Sequence, residues 1–319
     1  MTYQPAAISD DQTTLPKLPG WVTYGRAETL ETVTFRSGAA LTVLDALLSV
    51  PSHGVPLKLL ANRLALKAAA ATSKLEGRLA REAEIRDAYH LTPSGEARGP
   101  DGDLLAFWRD AARLRLARDW QSQLKKMAGP AYADDVDGWI ETGRARFKSH
   151  GPLAGCVSVM RAVLKVDGRA ERIACLLSDV ALARFLNAPT VLPVTARRLS
   201  KAMLRDLVAD GQGADLAIRR RILESVEDTI RLACDLAHSS AKLGAVAPKL
   251  RAKGSEAAVA LFLSEDVVAP STMLSPMIQG TTISMSDRAA RRFCDRLVEL
   301  GVARELTGRP TFRLYGITS

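Results

Sequence analysis

Apolar positions along this 319-residue chain recur every three or four residues for most of its length, the period of a helix that buries one face. The spacing predicts a helix over Ala39–Val50, stopped by Pro51 and Gly54, and another over Leu57–Lys74 that resumes past Gly77 through Tyr89. Leu104, Phe107, Trp108, Ala111, Leu114 and Ala117 share one face of a helix over Leu104–Met127, with Asp103 as its cap and Arg109, Arg113 and Arg115 on the polar remainder. Pro130 opens the next helix, through about Phe147. Its acidic start, Asp134-Asp135-Val136-Asp137, suits the positive end of the helix dipole. Leu153–Lys165 and Ala170–Leu186 form a helical hairpin across Asp167-Gly168. Thr195 caps Ala196–Ala209, which ends at Gly211-Gln212-Gly213, and Ala214–Leu243 is the longest helical pattern.

Three stretches break the period. Residues 1–26 hold Pro16, Pro19 and Gly20 and read as a tail lying on the body through Trp21 and Tyr24. Thr92–Asp103 reads as a long loop. Gly244–Gly254 is a basic connector that contains Pro248 and no acid. The boundary falls there, giving a tail (1–26), a helical body (27–253) and a C-terminal domain (254–319).

The pattern changes character in that last part. Ser286 is a favourable N-cap, and Asp287 follows in the first turn. Ala290, Phe293, Leu297 and Leu300 then share a face, and Gly301 suits a left-handed helix end. Arg288, Arg292 and Arg296 recur every four residues as one ridge away from that face. Val302–Leu306 and Thr311–Tyr315 read as strands joined by the turn Thr307-Gly308-Arg309-Pro310. A capped helix running into a hairpin is the back half of a winged helix-turn-helix. The expected fold is therefore mostly α: a multi-helix body with a C-terminal winged helix-turn-helix carrying one short β-hairpin.

Two resemblances bear on this. Leu300-Gly301-Val302, Glu305, Thr307-Gly308-Arg309 and Arg313-Leu314-Tyr315 are similar to the winged helix that follows Fic-type domains. The Fic signature, His-Pro-Phe followed by Gly-Asn-Gly-Arg, is absent, so the resemblance implies the module and no AMP transfer. Arg63-Leu64-Ala65-Leu66, Arg86-Asp87-Ala88, Trp108-Arg109, Ala247-Pro248-Lys249-Leu250-Arg251 and the block from Glu305 to Gly316 carry a wider resemblance. Over roughly 35–316, the chain is similar to the bacterial family called domain of unknown function 1403.

Charge adds a constraint on partners. The formal net charge is +9. From Gly254 onward seven arginines cancel seven acids, so the whole excess lies in the body and connector. Such an excess attracts polyanions without choosing among them. No apolar run reaches the roughly 20 residues of a membrane helix, and the acidic start Ile8-Ser9-Asp10-Asp11-Gln12 does not resemble a secretory signal. Cys156, Cys175, Cys234 and Cys294 lack metal-knuckle or redox spacing. A cytoplasmic protein without membrane contact is expected.

Chemical motifs are sparse. Asp87 with His90, and Asp235 with His238, put carboxylate and imidazole on one helical face, but the Glu set of a di-iron bundle is missing. No catalytic, cofactor-binding or metal-binding residue is assigned. The expected function is regulatory binding of double-stranded DNA by the winged helix. Its candidate contacts are Arg288, Arg291, Arg292, Arg296, Arg304, Arg309, Arg313, Lys249, Arg251 and Lys253. One alternative is a helical scaffold whose winged helix binds a protein partner; another is an enzyme with its site in the helical body.

Overall fold

The computed structural model describes residues 15–93, 95–117, 119–250, 253–309 and 311–318. Ile8–Gln12, Arg251 and Pro310 lie outside the described residues. Helices dominate: α1 (Gly20–Thr23), α2 (Leu30–Ser49), α3 (Leu57–Leu75), α4 (Glu82–His90), α5 (Gly99–Arg113), α6 (Trp120–Ala128), α7 (Val136–His150), α8 (Pro152–Val166), α9 (Glu171–Phe185), α10 (Lys201–Val208), α11 (Ala214–Val246), α12 (Ser255–Phe262) and α13 (Asp287–Glu299). Strands β1 (Ala303–Glu305) and β2 (Tyr315–Ile317) form the one two-stranded sheet among the described residues, antiparallel with Arg304 opposite Gly316.

Several boundaries differ from the sequence expectation, each for a local reason. The first long helix begins nine residues early. Thr29 and Thr32 cap it reciprocally, each hydroxyl accepting the other's backbone N–H at 3.2 and 3.0 Å. The segment expected over Leu104–Met127 starts at Gly99 and then splits after Arg113. There Leu116 N–H donates to Pro189 O at 3.1 Å, and Asp119 takes a left-handed φ of 61°, so the chain turns before α6. Thr195 does not cap a helix, because its hydroxyl donates to Cys175 O and its N–H donates to buried Asp179. Ser200 caps α10 instead, accepting from Met203 N–H. Of the two expected anchors of the N-terminal segment, Tyr24 is 91% exposed, Trp21 meets only the exposed ring of Phe35 with centres 6.1 Å apart, and the buried residue there is Val22.

In the body α7, α8 and α9 pack side by side, with α8 and α9 buried along most of their length. A Cβ on Gly155 would lie 2.9 Å from Gly143 O and 2.5 Å from the Phe185 ring. Glycine there lets α7 and α8 approach closely, while Phe147 and Phe185 stack with ring centres 4.6 Å apart. The 33-residue α11 runs along α2 and α8 and leads into a 3-10 turn, Ala247–Lys249. Most of the expected connector is thus ordered backbone, and Leu250 at its end is buried.

After α12 the chain passes Val268, makes a wide π-type turn over Pro270–Leu274, and reaches α13. Ser286 caps α13 by accepting Ala289 N–H at 3.3 Å. Ala290, Phe293 and Leu297 are buried beneath it, as the apolar spacing predicts, Leu300 is half-buried, and Cys294 joins the buried face. The second strand lies further along the chain than expected: Thr311–Arg313 are exposed turn residues, with Phe312 at φ 57°. Tyr315 exchanges two backbone hydrogen bonds with Val268 (2.7 and 2.9 Å) while pairing with Glu305. β2 therefore sits between β1 and the Val268 segment.

Candidate nucleic-acid interface

The arginines of α13 point where their spacing puts them. Arg288, Arg292 and Arg296 are exposed and form one wall of a groove of about 910 Å³. The opposite wall is the 3-10 turn after α11, with Pro248, Lys249 and Leu250. Gly254 holds the two walls together. Its φ is +83°, and a Cβ would lie 2.8 Å from Ile283 and 2.9 Å from Ile278, in the segment leading into α13.

The groove is one-signed. Among the described residues no carboxylate lines it. Arg296 pairs with Glu299 at 2.8 Å on its outer side. Among the described residues, Arg288, Arg292 and Lys249 make no ion pair. Four cations therefore converge from two elements that are 39 or more residues apart in sequence. A low-dielectric floor of Leu250, Ala289 and Phe293 strengthens their combined field over the groove.

The other candidates go elsewhere. Arg291 turns to the neighbouring face and pairs with Asp287 at 2.8 Å. Arg313 lies 4.0 Å from Asp295, which also accepts from the Tyr315 hydroxyl. Arg304 is exposed on β1. Lys253 is exposed but does not line the groove. Arg309, at the tip of the hairpin loop, reaches back to Asp87 of α4 at 3.3 Å. The hairpin is held to the body twice more: Arg86 donates to Leu306 O at 3.1 Å, and Arg63 donates to Ile317 O at 2.7 Å.

A buried ionic cluster completes this junction. Arg109 is a core residue of α5, not part of its polar face, with 2% exposure. It donates to Asp266 at 2.7 Å and also to Glu265. Asn62 donates to Ser264 O at 2.8 Å beside them. Glu265 and Asp266 are thus neutralised by the body and do not oppose the α13 ridge. His90 lies 3.8 Å from Asp266, and its imidazole is pushed down to about 3 by burial and by Arg109 and Arg86.

The remaining chemical candidates separate in the same way. Asp87 is taken up by Arg86 and Arg309. Asp235 and His238 line a different depression on α11. Among the described residues no group of three or more His, Cys, Asp or Glu side chains is placed to hold a metal. Cys156, Cys175 and Cys294 are buried, and burial raises each thiol above the usual range. Among the described residues no helix is long and apolar enough to cross a membrane.

Fold and groove together define a mostly helical protein with a cation-lined groove at its C-terminal end. The chain belongs to the family described as protein of unknown function (DUF1403), whose model matches residues 6–317. No curated protein matches it.

Proposed function

We propose that this chain is a regulatory protein that binds double-stranded DNA, with α13 as the recognition helix of a winged helix-turn-helix and the Lys249 turn as a second backbone clamp. The observation that carries the reading is the convergence of Arg288, Arg292, Arg296 and Lys249 on one groove with no acid among its described lining residues. The ridge from Arg288 to Arg296 spans about 12 Å at 1.5 Å per residue. The DNA major groove is about 12 Å wide and admits one helix. The order of α12, the Val268 segment, the π-type turn, α13, β1 and β2 supports the winged-helix reading, with β2 between its two partners. So does the resemblance of 300–315 to the segment after Fic-type domains.

The wing has a different task from the usual one in this reading. Its tip arginine is committed to Asp87, so the hairpin fixes the orientation of α13 against the body and the groove supplies the phosphate contacts. The body and connector carry the positive excess, and DNA held at the groove meets both.

A second reading, a scaffold that binds an acidic protein segment, has one observation of its own. Phe312 is 70% exposed and shares a depression with Arg291 and Arg313. Gel shifts of the full chain against duplex DNA, single-stranded DNA and duplex RNA at low salt test the proposal. A shift with duplex DNA that is lost in the Arg288→Ala/Arg292→Ala variant supports it. Binding of none of the three removes the DNA reading and leaves the scaffold.

A further inference from the structure

The helical body holds a second cavity, far in character from the cationic groove. It measures about 170 Å³ and lies between α2, α3, α9 and the 188–194 segment. Its buried end is made by Leu41, Leu44, Leu182, Val194 and Asp179, and its exposed rim includes Asp45. Among the described residues no lysine, arginine or histidine lines it.

Asp179 is the unusual member. It is 1% exposed. Oδ1 accepts the backbone N–H groups of Val194 at 3.0 Å and Thr195 at 2.9 Å. Oδ2 is buried with no hydrogen-bond partner among the described residues. A buried polar atom of this kind is rare and calls for a partner. A carboxylate in apolar surroundings is best compensated by a positive charge that also donates a hydrogen bond. An apolar pocket with one convergent polar group is the usual form of a small-molecule site. Size narrows the ligand: a dry cavity of about 150 Å³ takes up benzene, so this one holds about six to eight non-hydrogen atoms.

We propose that this cavity binds a small primary alkylamine, its chain among the leucines and its ammonium group donating to the free oxygen of Asp179. Above about pH 7, where Asp179 gives up its proton, the lack of any cation among the described lining residues leaves its charge for the ligand to answer. The acidic rim at Asp45 favours entry of a cation over an anion.

Calorimetric titration of the full chain with hexylamine, hexan-1-ol and hexanoate at about pH 8.5, above the value of about 7 at which Asp179 ionises and below that of the amine, tests this. Hexylamine is expected to bind at least about tenfold more tightly than hexan-1-ol, and hexanoate not to bind. Asp179→Asn keeps an acceptor for the two N–H groups and should bring amine and alcohol to equal affinity. Ala61→Phe, at a half-buried wall position, should abolish both while the protein still melts cooperatively. Asp45→Asn should leave the amine preference in place. Equal binding of amine and alcohol by the native chain overturns the proposal. So does an absence of amine binding, a preference that survives Asp179→Asn, or one that survives Ala61→Phe. If Asp179→Asn does not fold, the three ligands on the native chain and the Ala61→Phe and Asp45→Asn variants still decide.

Discussion

Arg109 in α5 and Asp266 after α12 lie 157 residues apart in sequence and meet in a hydrogen-bonded ion pair of 2.7 Å, both essentially removed from solvent. This contact ties the last quarter of the chain to the helical body. It also sets the orientation of α13, because Val268, two residues on from Asp266, pairs with Tyr315 of β2.

Removing one partner strands the other charge. Arg109→Leu is expected to destabilise the protein by about 3–5 kcal/mol, the usual cost of an uncompensated buried charge. The double variant Arg109→Leu/Asp266→Leu should lose less than Arg109→Leu alone, because only the partly exposed Glu265 is then left without its partner. Urea unfolding of the four proteins checks this. The same logic predicts that 254–319 expressed alone, with Asp266 lacking Arg109, is poorly folded.

Two buried groups give opposed pH dependences. Burial pushes the Asp179 carboxyl up to about 7 against the Val194 and Thr195 N–H groups and the nearby Thr195 hydroxyl, which favour its charge. Its native form keeps a proton that the unfolded chain releases near its ordinary value of about 3.9, so this term falls as pH rises from about 4 to about 7. His90 is pushed down to about 3. The unfolded chain binds a proton below about 6.5 that the native state refuses, so this term rises with pH from about 3 to about 6.5. Between about pH 4.5 and 6.5, Asp179→Asn should gain about 2–3 kcal/mol of stability relative to the change in the native protein. His90→Gln should lose a similar amount over the same interval. Urea midpoints at the two pH values read both signs.

The arginines should sort by position and not by number. Arg292→Glu reverses a charge in the groove and is expected to weaken duplex binding at least about tenfold. Arg309→Ala removes the contact with Asp87 without adding a like charge and should change affinity by less than about threefold, since one half-exposed pair contributes little and Arg86 and Arg63 still hold the hairpin. Fluorescence anisotropy with a labelled duplex distinguishes them. Equal losses would mean the hairpin tip touches DNA after all.

What could be read in the sequence was local. The α8–α9 hairpin follows from unbroken apolar periodicity on both sides of Asp167-Gly168, and the α13 ridge from four-residue spacing with a cap at Ser286. Boundaries set by tertiary partners were not legible. Thr195 has the chemistry of a cap, yet Cys175 O and Asp179 claim it. Arg109 has the chemistry of a solvated face, yet its partners lie 156 and 157 residues away. The groove was half visible: the ridge and the acid-free connector each stood out, but nothing local places Lys249 opposite Arg292. The Asp179 cavity had no sequence signal, since a single aspartate among leucines marks a helix face as often as a site.

The most direct test of the groove is the salt dependence of duplex binding by the full chain and by its Lys249→Ala/Arg288→Ala/Arg292→Ala variant. Each phosphate contact removed lowers the slope of log Kobs against log salt by about 0.9. The native chain should bind duplex with a steep slope, and the variant should be shallower by about 2–3 in that slope. A variant with the native slope and affinity, or a native chain that does not bind duplex at low salt, would contradict the assignment.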